Sequence, residues 1–239
     1  MSTMALNALY HEKILVKILA NIYADATLGH LLGFKGGTAA YLFYELDRFS
    51  VDLDFDLLDS SREDFVMDRV QAILLQYGTI KEAEKKRWNL LFILAYDEKE
   101  KNAQNVKVEI NRRDFGSQYD QRSYLGISIP VMTKEDMFAH KLMAMVERIG
   151  RSNRDIFDVW FFAKQQWPMN KRIIEERSGT DIKSFLERAI AELEGFDNRY
   201  ILQGLGELLN DKQKAWVKTR LKEEALFLLK LELSTRKKV

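Results

Sequence analysis

Residues 36–55 read GGTAAYLFYELDRFSVDLDF, and this stretch decides the fold prediction. Its glycine pair follows the apolar residues 31–34, which predict a short strand, and precedes residues 38–46, which predict a helix. Acidic and apolar residues then alternate over residues 51–57, which is the period of a β-strand. The stretch therefore predicts a strand, a glycine turn, a helix and a second strand, in that order.

The second of these strands carries a DxD pattern at Asp52 and Asp54. Residues two apart on a strand face the same side, so the two carboxylates would lie about 7 Å apart and bracket a metal ion. Carboxylate oxygens suit Mg²⁺, which neutralises charge in phosphoryl transfer. Asp56 continues the same face. A polar strand face in water explains the same pattern, so the pair alone leaves both interpretations open.

The turn before the helix, Gly36, Gly37 and Thr38, is a candidate phosphate site. Glycines let backbone N–H groups approach a phosphate closely, and a helix N-terminus favours an anion. Thr38 would cap the helix or bond a phosphate. An ordinary glycine turn with a threonine cap is the alternative. Arg48 and Ser50 lead directly into the DxD strand, and we expect them in the nucleotide site.

A third acid, Glu109, lies in a predicted strand over residues 105–111, where polar and apolar residues alternate. Residues 88–96 predict the strand before it, and the polar residues 97–104 join the two as in a hairpin. If the later strand lies beside the DxD strand, Glu109 completes a carboxylate triad and acts as the general base. A solvated glutamate on a strand face is the alternative.

Helices dominate the second half of the chain, because strand signals stop after Pro130. Thr133 with Asp136 resembles a capping box that opens a helix ending near Ile149. We therefore predict an α+β protein, with an α/β core over residues 1–130 and a helical region over residues 131–239. The other helices predicted from apolar spacing cover residues 6–28, 62–77, 155–166, 182–193, 201–209 and 212–233.

Lys141 lies between Met137 and Met145 on an apolar helical stripe, which is unusual because burying an unpaired ammonium is costly. Either its stem snorkels to the edge of the stripe, or its ammonium reaches a triphosphate. Asp155 and Asp158 share a face of the next helix, and aromatic neighbours crowd Asp158, so a buried ion pair competes with a catalytic role. The candidate partners of Asp158 are Arg154, Arg151 and Lys141.

Composition bounds the class of protein. The chain has 239 residues, 46% of them apolar and none of them cysteine, which allows a packed core and excludes disulfides and thiolate zinc sites. No apolar run reaches the roughly 18 residues of a membrane helix, and no secretory signal pattern is present, so we expect a cytoplasmic protein without a membrane partner. The 37 basic residues balance 36 acidic ones, so any RNA-binding surface must be local. Its candidate groups are Lys85-Lys86-Arg87, Arg112-Arg113, Arg148, Arg151, Arg154 and the lysine-rich residues 212–239.

Residues 36–55 resemble the first motif of the AbiEii/AbiGii toxin family, in which a GG[ST] turn and a short helix precede R-x-S-x-D-[LI]-D-F. Residues 140–162, HKLMAMVERIGRSNRDIFDVWFF, resemble its second conserved region, a lysine helix followed by RD-x-x-D. The order and spacing match over most of residues 30–165. The family's final motif often reads R-x-K-D or P-R-D, so the roles of Arg151 and Arg154 stay open.

The resemblance implies a nucleotidyltransferase core related to DNA polymerase β, with a mixed sheet and a helical C-terminal region. It also implies the toxin of a bacterial toxin–antitoxin system, often linked to phage defence, with a cognate antitoxin as partner. Some members transfer a nucleotidyl group from an NTP to the 3′ end of tRNA, with Mg²⁺ or Mn²⁺. Carried over, Gly36, Gly37 and Thr38 hold the triphosphate, Asp52 and Asp54 bind the metal, Lys141 contacts phosphate, and Asp155 and Asp158 support the site.

Two rival functions stay open. One is a protein of the same fold that modifies a small molecule such as an aminoglycoside, for which no basic surface beside the site is needed. The other is a non-catalytic binding protein that keeps the nucleotide pocket. The intact DxD pair argues against this second rival, because turnover is what requires the metal carboxylates.

Overall fold

The computed structural model describes residues 3–96 and 105–236, with residues 3–7 and 236 described by their backbone alone. The predicted hairpin turn over residues 97–104 lies outside this part of the chain, as does the end of the lysine-rich tail at Lys237 and Lys238. The strands are β1 (Leu32–Lys35), β2 (Asp52–Leu57), β3 (Thr79–Lys85), β4 (Asn89–Ala95), β5 (Asn105–Asn111), β6 (Tyr119–Tyr124) and β7 (Ile127–Met132).

Among the described residues, these seven strands form one mixed sheet in the order β3-β4-β5-β2-β1-β7-β6. β2 lies at its centre, antiparallel to β1 and parallel to β5. β1 and β7 are also parallel, whereas the two hairpins at the edges, β3–β4 and β6–β7, are antiparallel. The glycine turn after β1 and the strand β5, which carries Glu109, therefore lie on opposite sides of the DxD strand.

The helices are α1 (Thr3–Ala24), α2 (Gly36–Tyr44), α3 (Glu63–Leu74), α4 (Lys134–Arg148), α5 (Arg154–Lys164), α6 (Lys171–Ser178), α7 (Ile182–Gly195), α8 (Asp211–Trp216) and α9 (Lys222–Arg236). A turn of π-helix, Val217–Leu221, joins the last two. No helix in the described part of the chain combines the length and apolarity that a bilayer crossing requires. The predicted α+β class is confirmed.

The chain forms two compact units, and neither is a single continuous segment. The first comprises residues up to Glu45, Ser50–Asp114 and Gln118–Met132, and contains the whole sheet with α1, α2 and α3. The second comprises Leu46–Phe49, Phe115–Ser117 and the residues from Thr133 onward, and contains the other helices.

The core of the first unit fixes which face of β2 carries the acids. Leu53 and Phe55 are fully buried on one face, where the Phe55 ring packs 5.3 Å from that of Phe34 between centroids. Burying such a side chain stabilises the fold by about 1.5–3 kcal/mol, so the register of β2 is strongly held. Asp52 and Asp54 must then project from the opposite face.

Two local predictions for the helical half are wrong. Residues 201–209 form turns and the short 3₁₀ segment Gly206–Leu208, because Gly204 takes a left-handed φ of 66° that no helix accommodates. The helix expected over residues 212–233 is present, as α8, the π turn and α9 in direct succession. Thr133 does precede α4, but its hydroxyl makes no capping bond, and Asp136 accepts instead from Asn170 Nδ2 at 2.5 Å.

Candidate functional site

The glycine turn packs directly against the DxD strand. Gly36 begins α2 with a φ of 82°, and a Cβ placed there would overlap the Asp54 carboxylate and lie 2.8 Å from the Asp54 Cβ. Only glycine satisfies both conditions, since it tolerates this φ and leaves room for the acid. Main-chain groups at the start of α2 and the Asp54 carboxylate therefore share one small space.

Thr38 ties the same turn to the start of β2. Its buried Oγ1 lies within hydrogen-bond distance of the Asp52 carbonyl oxygen and 2.9 Å from Ser50 Oγ. The threonine hydroxyl thus holds the backbone that presents Asp52. The helix cap predicted for Thr38 is not formed, because the N-cap residue of α2 is Lys35.

Glu109 lies beside the DxD pair, as the strand pattern required. β5 runs parallel to β2, with Asp52 opposite Lys107 and Asp54 opposite Glu109. Lys107 Nζ lies 3.0 Å from Glu109 Oε2 and 3.7 Å from Asp52 Oδ2. Asn89 on β4 donates to Glu109 Oε1 at 2.8 Å. The carboxyl group of Glu109 is therefore oriented by two donors, neither of which the sequence had assigned to the site.

Charge determines the protonation of this face. Burial alone would raise the pKa of Glu109, but Lys107 and the bonds from Lys107 and Asn89 outweigh it and hold the pKa below its usual value. Burial would likewise lower the pKa of Lys107, but Asp54, Asp52 and Glu109 raise it overall. At neutral pH both groups are charged, so an ammonium already lies among three carboxylates.

Asp56 has a different environment from the other two aspartates of β2. It is buried and accepts bonds from Lys35 Nζ and Asn111 Nδ2 at 2.6 Å and from the Tyr119 hydroxyl at 2.5 Å. The Tyr119 ring reaches it across Gly33, where a Cβ would overlap the ring. Burial would raise the pKa of Asp56, but these partners lower it. These three hydrogen bonds give the ionised Asp56 a structural role.

A buried histidine contacts the residue before β2. His11 on α1 contacts the Val51 carbonyl oxygen through Nε2 at 2.9 Å and the Tyr96 hydroxyl through Nδ1. Burial lowers the pKa of His11, so the neutral ring is favoured. Val51 immediately precedes Asp52, so His11 helps to fix where the DxD strand begins. A lone histidine in an amphipathic helix carries no sequence signal for such a role.

The second unit contains a separate charged cluster. Both oxygens of Asp158 accept from Arg48, at 2.6 Å from Nε and 2.7 Å from Nη2, and Lys141 Nζ lies 2.7 Å from Asp158 Oδ2. Lys141 also bonds Asp155 Oδ1 at 3.1 Å. Arg148 Nη2 lies 2.7 Å from Asp155 Oδ2, but that oxygen accepts no hydrogen bond, so the contact is an ion pair alone.

This cluster answers the question of the partner of Asp158. Lys141 is one of the three predicted candidates, and Arg48, expected beside the nucleotide, is the partner that the sequence did not indicate. Burial would raise the pKa of Asp158, but Arg48 and Lys141 hold it well below its usual range. Nucleotide contacts by Arg48 and Lys141 stay predictions. The Arg48 side chain is only 1% exposed and that of Lys141 11%.

A histidine, a serine and an arginine meet elsewhere in the second unit. His140 Nε2 lies 2.8 Å from Ser117 Oγ, and Arg177 Nη1 lies 2.7 Å from His140 Nδ1. A guanidinium can only donate, so Nδ1 must accept and a neutral His140 carries its proton on Nε2. His140 then donates to Ser117 and cannot deprotonate it. This arrangement does not form a nucleophilic serine.

Several of the predicted basic groups have acidic partners. Lys85 pairs with Glu63 at 2.7 Å, and Lys86 pairs with Glu82 at 2.6 Å. In the C-terminal helices, Lys230 pairs with Glu194 at 2.6 Å. Pairs of this kind are exposed and screened by salt, but they reduce the positive field that a polyanion would meet.

The donor set of the first unit fits Mg²⁺. Asp52 and Asp54 offer hard oxygen ligands from one strand face, and the space left by Gly36 adjoins Asp54. Within the described residues, no three His, Cys, Asp or Glu side chains are grouped closely enough to hold a metal by themselves. Mg²⁺ is commonly held by one or two carboxylates together with substrate phosphates, so a pair suffices when a nucleotide supplies the rest.

Comparison with known proteins gives a family and a fold. The model of a family described as nucleotidyl transferase AbiEii toxin, type IV toxin–antitoxin system, matches residues 17–226. The structure is similar to JHP933 from Helicobacter pylori, with a TM-score of 0.64 and 24% identity over 97% of this chain and 94% of that one. It is also similar to MenT4, a nucleotidyltransferase toxin from Mycobacterium tuberculosis H37Rv, with a TM-score of 0.60 and 17% identity. That match covers 95% of this chain and 85% of MenT4. No curated protein matches the sequence.

Proposed function

The chain belongs to the AbiEii family of nucleotidyltransferase toxins, and we propose that it transfers a nucleotidyl group from an Mg²⁺-bound NTP to a hydroxyl of RNA, with tRNA as the first candidate. The observation that carries the proposal is the contact of the Gly36 turn with Asp54. A backbone that cradles phosphate and a carboxylate that holds Mg²⁺ serve one NTP only if they adjoin.

The residues of the first unit divide the work. The N–H groups of the turn at Gly36, Gly37 and Thr38 hold the β- and γ-phosphates, so the leaving pyrophosphate stays anchored. Asp52 and Asp54 would hold the metal, with Mn²⁺ as an alternative ion. When bound, the metal neutralises charge on the phosphates and so favours attack at the α-phosphorus. Ser50 acts with Thr38 as a positioning residue for Asp52.

Glu109 is the general base of the proposed reaction. The acceptor hydroxyl oxygen forms a bond to the α-phosphorus, and the bond from that phosphorus to the pyrophosphate oxygen breaks. The hydroxyl proton passes to the Glu109 carboxylate, and pyrophosphate leaves. A base must be ionised before it acts, and the lowered pKa of Glu109 ensures this at neutral pH. Asn89 and Lys107 each hold one oxygen of Glu109, which lies opposite Asp54 in the register of β2 and β5.

The test is transfer of label from each α-³²P NTP to total tRNA with Mg²⁺, read on a denaturing gel. We expect labelled tRNA with one or more NTPs, and none with Asp54→Ala or in excess EDTA. Asp120→Ala, which removes an exposed carboxylate of β6, is the matched control and should label tRNA normally. Label that survives in Asp54→Ala contradicts the metal role.

The same experiment separates the rivals. Label found only in a small molecule from a bacterial extract would replace RNA by a small acceptor. NTP binding in a thermal-shift assay without transfer to any acceptor would indicate a non-catalytic protein. Because binding releases counterions from the RNA, the affinity falls as the salt concentration rises, so tRNA binding should weaken by at least tenfold between about 50 and 200 mM salt. An affinity that does not change with salt would favour the small-molecule rival.

The biological role proposed for this transfer is growth arrest. Membership of a type IV toxin–antitoxin family implies a cognate antitoxin that relieves it. A tRNA with an altered 3′ end cannot be aminoacylated, so translation would stop. If phage infection activated the toxin, translation in the infected cell would stop and the phage could not multiply there.

A further inference from the structure

An exposed tryptophan lies at the β3–β4 turn of the first unit. Trp88 is 50% exposed to solvent. The guanidinium carbons of Arg87 and Arg113 lie 4.6 and 5.7 Å from the centroid of its ring. We name Arg87, Trp88 and Arg113 the Trp88 cluster. An exposed indole flanked by two guanidinium groups presents a flat aromatic face on which a ligand ring can stack.

The turn does not need this side chain for its own conformation. Arg112 Nη1 donates to the Lys86 carbonyl at 2.7 Å, and the Arg112 N–H donates to the Trp88 carbonyl at 2.9 Å. The Lys86 N–H donates to the Asn89 carbonyl at 2.8 Å. All of these bonds use main-chain atoms of the turn. The indole N–H of Trp88 has no hydrogen-bond partner within residues 3–96 and 105–236.

Charge also distinguishes Arg87 from its neighbours. Lys85, Lys86 and Arg112 all pair with glutamates. Arg87 makes no ion pair with the acidic side chains that the structure describes, and its guanidinium carbon lies 4.6 Å from the centroid of the indole ring. A cation that stays on an aromatic face without a carboxylate is suited to meet a phosphate.

The cluster borders the side of the site on which the general base lies. In the sheet, Gly36 follows β1 on one side of β2, whereas Glu109 on β5 and Asn89 on β4 lie on the other. Asn89 bonds Glu109 and is the residue after Trp88. With phosphates held on the β1 side, the β4 side, where Trp88 directly precedes Asn89, is the side left for the acceptor.

We propose that Trp88 stacks an unpaired base of the RNA acceptor, and that Arg87 and Arg113 contact the phosphates beside that base. The proposal rests on the proposed function, since it assigns the acceptor subsite of that reaction. Base–aromatic stacking tolerates every base, because each has a π face, and arginine adds a cation–π contribution. The subsite therefore selects single-stranded RNA near a hydroxyl-bearing end and does not select its sequence.

Fluorescence anisotropy with a labelled 12-nucleotide RNA of mixed sequence tests the subsite without NTP. Trp88→Ala should raise the Kd about 5- to 150-fold, the range expected for one stacked base, and Trp88→Phe should recover most of the loss. Tyr200→Ala is the matched control, because Tyr200 is 55% exposed with Arg199 5.9 Å from its ring, and it should bind RNA as the wild type does.

Intrinsic fluorescence gives a second readout that folding defects do not mimic. Of the four tryptophans, only Trp88 is expected to be quenched by RNA, so Trp88→Phe should abolish the quenching while the anisotropy change persists. Wild-type affinity in Trp88→Ala, or unchanged quenching in Trp88→Phe, overturns the proposal. Equal weakening by Trp88→Phe and Trp88→Ala also overturns it, because stacking would then not be the cause.

Failure of this proposal and failure of the proposed function give different results. If the wild type labels tRNA and Trp88→Ala binds RNA as tightly as the wild type, only the subsite is wrong. If no RNA is labelled by the wild type, the transfer reaction is wrong, and the binding of the 12-nucleotide RNA still decides whether Trp88 contacts RNA. Preferential binding of an acidic protein over RNA at the Trp88 cluster would overturn the RNA subsite in favour of a protein partner.

Discussion

Arg48 and Asp158 are joined by two parallel hydrogen bonds of 2.6 and 2.7 Å, although 110 residues separate them in the sequence. Both side chains are almost fully removed from solvent. A bidentate guanidinium–carboxylate pair has the geometry at which burial of two charges is best compensated. The pair therefore connects the four-residue segment Leu46–Phe49 to α5 within the second unit.

Arg48→Met should destabilise the protein by about 3–5 kcal/mol, because Asp158 would keep only Lys141 as a charged partner in an apolar setting. Chemical denaturation monitored by circular dichroism measures the change. Arg199→Met, which removes an exposed arginine from Asp197, should leave the denaturation midpoint unchanged. Equal midpoints for the two variants would show that the buried pair adds nothing to stability.

Gly36→Ala should abolish nucleotidyl transfer, because its Cβ would displace the Asp54 carboxylate as well as strain the backbone. Gly126→Ala is the matched control: its φ of 79° imposes a similar strain, of about 1–2 kcal/mol, but nothing lies within 4 Å of the added Cβ. Transfer and melting temperature are measured for both. The prediction is contradicted if Gly36→Ala loses stability as Gly126→Ala does and keeps its activity.

The contribution of Asp56 to stability should depend on pH in one direction. Its pKa is lowered in the folded protein, so the ionised form contributes fully above the unfolded pKa of about 3.9 and the contribution disappears as pH falls through the folded pKa. Asp56→Asn should therefore be less stable than the wild type at pH 7, and the gap should close below about pH 4. Urea unfolding between pH 7 and pH 2 measures it. A gap that stays constant, as we expect for the exposed control Asp120→Asn, would contradict the assignment.

Lys141→Met should keep the fold and weaken NTP use. When Lys141 is removed, Asp158 keeps its two hydrogen bonds from Arg48 and Asp155 keeps its ion pair with Arg148, so each buried carboxylate retains an arginine. Lys141 is then the cation of this cluster that can be assigned to a phosphate. We expect kcat/KM for NTP to fall about 10- to 100-fold with little change in melting temperature.

The exposed Lys171→Met on α6 controls for loss of a charge alone and should behave as the wild type. Lys141→Met with normal melting and normal kinetics would end the phosphate role. A large loss of stability would instead identify Lys141 as a structural partner of the two aspartates.

Induced expression in bacteria should slow growth, as expected of a toxin, and Asp54→Ala should remove the effect. Growth curves at equal protein level, checked by immunoblot, measure it. Asp120→Ala should remain toxic, since it leaves the proposed metal site intact. Equal slowing by the wild type and Asp54→Ala would mean that expression burden, not transfer, causes the effect.

The sequence predicted the centre of the sheet well because its signals are local. The alternation in β2 and β5 and the glycine break after β1 are visible within a few residues, and the resemblance to the family supplied the fold, which the comparisons confirm. It did not predict β3, β6 or β7. β3 and β6, with the sequences TIKEAEK and YDQRSY, are edge strands with mostly exposed or half-buried side chains, so the apolar period that marks a strand is missing. β7, ISIPVM, contains Pro130, and a proline within an apolar run counts against a strand.

Partners distant in the sequence were beyond prediction for a different reason. Arg48 precedes the DxD strand by a few residues, which suggested a role beside the nucleotide. No residue near Arg48 in the sequence indicates that its partner is Asp158. Asn89 and Lys107 are polar residues on strands and gain their meaning only from the pairing of β4, β5 and β2. Local sequence patterns predict where strands and helices lie. The orientation of Glu109 depends on the register between β4, β5 and β2, which such patterns do not contain.

The wide separation of Arg48 and Asp158 has a consequence for synthesis on the ribosome. At about 5–20 residues per second, the 110 residues between them take roughly 5 to 20 s to translate. During that interval the nascent chain carries a guanidinium destined for an apolar interior, flanked by Leu46 and Phe49, before its carboxylate exists. Until Asp158 has been synthesised the buried ion pair cannot form, so the second unit completes its charged core only late in translation.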